Sequence, residues 1–88
     1  SYDLLCELAI SSYDLNERRR HAELKDMVQY FILWWDSNKR KTKKYKTLEA
    51  IGKALGVDHA TVLHYIRRRK PTINFDKNVE CLKDFLNS

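Results

Sequence analysis

Apolar residues recur at helical spacing along the chain, and one series is longer than the others. Its members stand at positions i, i+3, i+4, i+7, i+8 and i+11, which places them on one face of a helix. The series is Leu24, Met27, Val28, Phe31, Ile32 and Trp35. It predicts a central core helix over residues 21–36.

Shorter repeats of the same kind predict a helix at each end of the chain. Apolar spacing indicates one helix over residues 2–12 and a last helix over residues 74–87. Residues 37–46 are polar, basic and aperiodic, so no apolar periodicity would hold them to the core. We therefore expect a mobile loop there, with little effect on stability when it is altered.

Two short helices are predicted between this basic segment and the last helix. Thr47 is a favourable N-cap for the first of them, and Gly56 stands where a helix ends through a left-handed residue. Asp58 is the next N-cap, with its carboxylate placed to accept from the first turn of a helix over residues 59–69. Pro71 ends that helix.

The two short helices have the pattern of a helix-turn-helix. The apolar residues expected in their core are Leu48, Ile51, Leu55, Val62, Leu63 and Ile66. The residues expected to face outward from the second helix are Ala60, Thr61, His64, Tyr65 and Arg68. Small and hydrogen-bonding side chains at the N-terminal end of a helix allow close approach to base edges, and the helix N-terminus favours phosphate.

Composition favours a single all-α domain of about five helices. Eighty-eight residues suffice for one domain, and two Gly and one Pro leave little turn chemistry for an all-β fold. The longest apolar run, residues 30–35, is too short to span a membrane. The chain lacks an initiator Met, so it is either trimmed or a piece of a longer protein.

The two cysteines, Cys6 and Cys81, stand near opposite ends of the chain, and neither belongs to a C-x-x-C pair. The spacing of His59 and His64 keeps them off one helical face, and a zinc site needs four ligands at close spacing. We expect two reduced, half-buried thiols in a cytoplasmic protein, with a disulfide as the alternative. No metal or other cofactor is expected, and no residue pattern indicates an enzyme.

The net charge is +5, and the basic residues are clustered. Three runs hold 13 of the 17 Lys and Arg residues: residues 18–20, six positions within 39–46, and residues 67–70. The runs contain no acid, so their self-repulsion must be offset by a partner, and phosphate is the usual one. Three such runs beside predicted helices indicate a nucleic-acid-binding surface rather than solvated stretches.

Residues 48–64, which read LEAIGKALGVDHATVLH, resemble the signature of the C-terminal DNA-binding domain of DnaA, the bacterial chromosomal replication initiator. The most specific part is D-H-x-T-V-L-H at residues 58–64. The likeness covers about residues 13–88 and includes the basic run 18–20 and residues 25–31 of the core helix. It implies a Trp-repressor-like, all-α helix-turn-helix fold.

The resemblance also implies roles for single residues. Asp58, His59 and Thr61 would contact bases in the major groove, one residue of the run 18–20 would enter the adjacent minor groove, and Lys25 would contact phosphate. Together with the charge pattern, it gives these candidate DNA-binding residues: Arg18, Arg19, Arg20, Lys25, Lys43, Lys44, Asp58, His59, Ala60, Thr61, His64 and Arg68.

The chain departs from the family pattern in ways that affect function. Val57 replaces an Arg, Ala60 replaces a Thr or Ser that reads a base, and the basic segment is longer. The ATPase module of the family is absent, since no G-x-x-x-x-G-K-[ST] loop occurs.

We therefore expect binding to double-stranded DNA, in replication initiation or in transcriptional control. A nonspecific nucleic-acid binder and a protein-interaction module are the alternatives. Other domains of a longer protein are further expected partners, and the oligomeric state is left open.

Overall fold

The computed structural model describes residues 1–18 and 21–88, which form five α-helices and one short 3₁₀ turn. The elements are α1 (Tyr2–Ser12), α2 (Ala22–Asn38), the 3₁₀ turn (Lys39–Lys41), α3 (Leu48–Leu55), α4 (His59–Arg67) and α5 (Phe75–Leu86). No strand occurs within the described ranges. The predicted all-α fold is confirmed.

Helix α2 lies at the centre and packs against α1, α4 and α5. Its long apolar series supplies the middle of the core, as predicted. Val28, Phe31, Ile32 and Trp35 are fully buried. Because neighbouring helices cover α2 on several sides, they are held in fixed positions around one core.

The predicted N-caps of the two short helices and the predicted end of the first are confirmed. Thr47 caps α3 by accepting from the amide of Ala50 at 3.1 Å. Gly56 ends α3 in the left-handed region, with φ +74°. Asp58 caps α4 by accepting from the amide of Thr61 at 2.8 Å. The helix-turn-helix pattern in the sequence is thus a pair of separate helices in the structure.

The segment 37–46 is not the unattached loop that its composition predicted. Helix α2 extends to Asn38, and the 3₁₀ turn follows directly. Thr42 is only 2% exposed, and the Asp3 carboxylate on α1 accepts from the amides of Lys43 at 2.9 Å and Lys44 at 3.1 Å. Polar contacts to α1 therefore hold a segment that lacks apolar periodicity.

Helix α4 is shorter than predicted, and its buried face differs. It ends at Arg67 rather than Arg69, because the amides of Arg68 and Arg69 both donate to the His64 carbonyl and so close the helix. Tyr65, predicted to face outward, is 5% exposed and belongs to the core. Val62 is also buried, whereas two residues predicted as core are only half-buried; these are Leu63 and Ile66.

Both cysteines are free thiols, so the described residues contain no disulfide. They are not equivalent, since Cys6 is buried and Cys81 is exposed. Burial, together with the nearby carboxylates of Asp3 and Glu7, raises the pKa of Cys6 to about 12.

Among the described residues no helix is both long and apolar enough to cross a membrane.

Candidate nucleic-acid interface

The corner between α3 and α4 is fixed by close backbone packing at Gly52. A Cβ atom on Gly52 would lie 2.7 Å from the Val57 carbonyl oxygen, so only glycine fits without a shift. The Val57 amide donates to the Gly52 carbonyl at 2.8 Å. These contacts set the direction in which α4 leaves the corner after its N-cap, Asp58.

The first turn of α4 presents a set of small and polar side chains. Asp58, His59 and Ala60 are exposed, and Thr61 is half-buried. The amide and the hydroxyl of Thr61 both donate to Asp58, and they hold the pKa of Asp58 below its usual range. The N-terminal end of α4 therefore has an ionised carboxylate, that of Asp58, as a hydrogen-bond acceptor. The exposed side chains beside it are small or polar, which is what contact with base edges requires.

The next turn of α4 continues this outward face. His64 is exposed, and its ring packs edge-on to Tyr65 at 6.2 Å between centroids. Arg68 is exposed just past the end of the helix. The candidates on α4 therefore lie along one element, from its N-cap to its C-cap.

Arg18 lies beside the same corner. It lines a hollow of about 400 Å³ together with Asn16, Glu17, Gly56 and Val57. The fold thus brings the first residue of an upstream basic run next to the turn that precedes Asp58. Arg19 and Arg20, the other candidates in this run, lie outside the described residues.

Lys25 is exposed in the early part of α2. Its backbone amide donates to the carbonyl of His21, the N-cap residue, at 3.0 Å. It does not touch the α3–α4 corner in any contact of the described residues. Its place on the central helix leaves its ammonium group open to solvent.

The cations of the segment 39–46 fall into two groups. Lys44 pairs with Glu7 on α1 at 2.7 Å, which raises the pKa of Lys44, and Lys41 lies over the ring of Tyr2 at 5.1 Å. The second group lines a hollow of about 290 Å³ and comprises Lys39, Arg40 and Lys46. Of the two candidates from this segment, Lys43 is exposed and Lys44 is directed towards α1.

A buried ion pair next to α4 was not predicted from the sequence. Asp26 on α2 is fully buried and forms an ion pair with Arg69 at 2.8 Å. Its second oxygen accepts from the Thr72 hydroxyl and, at 3.0 Å, from the Asn78 amide. Asp26 therefore joins α2 to the chain that leaves α4 and to α5.

Gln29, one turn along α2, completes this network. Its side-chain amide donates to the carbonyls of Arg69 at 2.9 Å and Tyr65 at 3.4 Å, while Arg69 donates to its oxygen. The carbonyls in the last turn of a helix lack intrahelical partners, so Gln29 supplies a donor to one of them, that of Tyr65. No sequence signal marked this pairing, because its partners are far apart in the chain.

Comparison with protein-family models, curated proteins and solved structures gave no match for this chain. The likeness to the DnaA domain therefore stays a prediction from the residues. The described residues also contain no group of three or more His, Cys, Asp or Glu side chains that could hold a metal ion. The best-defined site is the α3–α4 corner with its capped, exposed helix end and adjacent arginine.

Proposed function

We propose that this domain binds double-stranded DNA through α3 and α4, with the N-terminal turn of α4 in the major groove. The observation that carries the proposal is the α3–α4 corner, in which Gly52 and Gly56 set the turn and Asp58 caps an exposed helix end. A recognition helix of this motif contacts bases with its N-terminal residues. The resemblance of residues 58–64 to the DnaA domain supports the same assignment.

The arginine run 18–20 supplies a second contact in this proposal. Arg18 lies in a hollow with Glu17, Gly56 and Val57, so the start of this run lies next to the turn that precedes α4. Arginine inserted into a narrow minor groove is favoured by the enhanced negative potential there. One residue of the run therefore enters the minor groove that adjoins the major-groove site.

The biological setting we propose is replication initiation or transcriptional control, in the cytoplasm, as the DnaA likeness implies. Val57 and Ala60 stand where the family has an Arg and a Thr or Ser, so the preferred DNA sequence differs from the family's. These residues contain no G-x-x-x-x-G-K-[ST] nucleotide-binding loop, so ATP-driven assembly is not among the functions that we propose for them.

A nonspecific nucleic-acid binder is the second candidate function, and one observation favours it. Lys39, Arg40 and Lys46 line one hollow, and within the described part of the chain Lys39 alone of the three has an ion-pair partner, Asp36 at 2.9 Å. Contacts from such a cluster to phosphates carry no sequence information.

Selection of bound duplexes from a random-sequence pool separates the candidates. An enriched motif, with specific affinity at least about a thousandfold above random DNA, supports the main proposal. Binding without a motif supports the second candidate. Absence of duplex binding even at low salt rejects both and leaves a protein-interaction module.

A further inference from the structure

The turn between α4 and α5 carries an isoleucine that nothing in the domain covers. Ile73 is 99% exposed, which far exceeds the exposure of the other large apolar residues on the surface. The next most exposed, Leu4 on α1, is 52% exposed. Ile73 therefore makes no contribution to the core and is presented whole to solvent.

This isoleucine stands on a turn that is firmly held. The amide of Thr72 donates to Asp26 at 3.2 Å, and the Thr72 hydroxyl donates to the other Asp26 oxygen. The Phe75 amide then donates to the Thr72 carbonyl at 3.1 Å. Because Asp26 is fully buried, the backbone next to Ile73 is anchored to the core.

The segment that contains this turn is also rich in positive charge. Residues 67–77 contain five cations and one acid, Asp76. Arg69 is occupied by Asp26, and the four others are exposed; these are Arg67, Arg68, Lys70 and Lys77. A single exposed apolar side chain in a segment rich in exposed cations is complementary to a nucleic-acid surface, which presents phosphates beside its bases.

The length of α4 brings this turn to the level of the DNA backbone. The helix has nine residues, so it is about 13 Å long at about 1.5 Å per residue. The major groove is about 8.5 Å deep, so a helix that reaches the groove floor with its N-terminus carries its C-terminal end past the rim. In the proposed docking, the turn that follows α4 would therefore lie near the phosphates at the rim of the groove.

We propose that Ile73 is an apolar wedge that inserts into a minor groove of the bound DNA and partly unstacks one base step. Isoleucine is one of the side chains that proteins use in this way. The inference rests on the proposed function, since it requires the domain to bind duplex DNA. It assigns the turn after α4 as a third contact, separate from the recognition turn and from the run 18–20.

The test uses duplexes that carry 2-aminopurine, a base whose fluorescence rises when it is unstacked, at successive steps on both sides of the selected site. If the selection returns no motif, random A·T-rich duplexes serve instead. The unaltered protein should raise the fluorescence at one flanking step, and Ile73→Ser should abolish the rise. Ile73→Ser should also weaken binding roughly tenfold, as expected for loss of one buried isoleucine contact.

Three comparisons make the result specific. Leu4→Ser, which alters an exposed leucine on α1 rather than in this turn, should change neither signal. Ile73→Ser should leave the dependence of log K on log salt unchanged, whereas Lys70→Gln should lower that slope by about 0.9. Unfolding curves should match the unaltered protein, since Ile73 is outside the core.

The outcomes also separate this inference from the proposed function. If Ile73→Ser retains full affinity, or if the unaltered protein binds without any rise in fluorescence, the wedge is rejected while the helix-turn-helix proposal stands. If Thr61→Ala weakens specific binding in the same series, that proposal is supported independently. If the unaltered protein binds no duplex, both are rejected.

Discussion

Arg69 and Asp26 form an ion pair of 2.8 Å that joins the chain leaving α4 to the early part of α2. The Asp26 side chain is fully buried, and that of Arg69 is 12% exposed. Arg69 belongs to a basic run that charge alone would assign to phosphate, yet its guanidinium group is committed to the interior. Helix α4 is therefore fixed at its C-terminal end by one residue of that run, and the neighbouring Arg68 remains exposed.

Replacing Arg69 should therefore be far more destabilising than replacing its neighbour. Arg69→Met leaves a buried carboxylate without its cation, which typically costs about 3–5 kcal/mol. Arg68→Met changes an exposed residue and should alter the free energy of unfolding by less than about 0.5 kcal/mol. Urea denaturation of the two variants makes the comparison. Equal, small losses would show that Asp26 does not need Arg69.

The same carboxylate should make stability fall at acid pH. Burial raises the pKa of Asp26, but the donors from Thr72, Arg69 and Asn78 outweigh burial and hold it below the usual value. Such a group stabilises the fold above its unfolded pKa of about 3.9, and this contribution is lost as the pH falls through the lower folded pKa.

The corresponding measurement is the free energy of unfolding from pH 7 to pH 2. Asp26→Asn should be destabilised most at neutral pH, and its deficit against the unaltered protein should shrink as the pH falls below about 4. Asp84→Asn, which alters an exposed residue of α5 outside this network, serves as the control for the loss of a carboxylate. A deficit for Asp26→Asn that is independent of pH would contradict the argument.

The helix-turn-helix corner gives a second stability prediction. Gly52→Ala would place a Cβ atom 2.7 Å from the Val57 carbonyl oxygen, and overpacking of this kind costs about 1–3 kcal/mol. Alanine normally gains about 0.5–1 kcal/mol over glycine inside a helix, so a loss here identifies the close approach. Gly56→Ala should cost about 1–2 kcal/mol, because its φ of +74° is left-handed. Thermal unfolding gives both values, and a stabilised Gly52→Ala would refute the packing argument.

Much of the α3–α4 region could be predicted because its signals are local. The caps at Thr47 and Asp58 and the end at Gly56 each depend on residues within one turn of the chain. Which face of α4 is buried was harder to predict. Tyr65 was expected outside, but α4 turns its Val62 and Tyr65 face towards α2, and the orientation of one helix against another is not encoded in the spacing of α4 alone.

The missed features depend on contacts between distant parts of the chain. Arg69 meets Asp26 across 43 positions, and the Lys43 amide meets Asp3 across 40. Charge patterning predicts both basic runs as solvent-facing, because it cannot indicate which cation has a buried partner. The Asp3 carboxylate in the first turn of α1 likewise has no sequence signal that points to a loop so far along the chain.

Base readout should be confined to the first turn of α4. His59→Ala and Thr61→Ala should each weaken binding to the selected site by about 1–3 kcal/mol and leave binding to random duplex nearly unchanged. Lys25→Gln is the matched control, since loss of a phosphate contact should weaken both complexes alike. Equilibrium titrations at one salt concentration give the ratios. Equal losses on both duplexes for the two α4 variants would remove their assignment as base contacts.

The two groups of cations in the segment 39–46 should differ in their effect on DNA binding. Changing Lys39, Arg40 and Lys46 to Gln removes the charges that line the hollow. Each phosphate contact contributes about 0.9 to the slope of log K against log salt. Because Lys39 also pairs with Asp36, we expect this variant to lower the slope by about two. The matched variant changes Lys41, Lys43 and Lys44 to Gln. It removes the same charge but should lower the slope less, because Lys44 is already paired with Glu7 and Lys41 lies over Tyr2.

Both variants keep the backbone bonds to Asp3, so their unfolding curves should stay close together. An equal drop in slope for the two triple variants would mean that only total charge matters and that the contacts to α1 do not withhold Lys41 and Lys44 from the DNA.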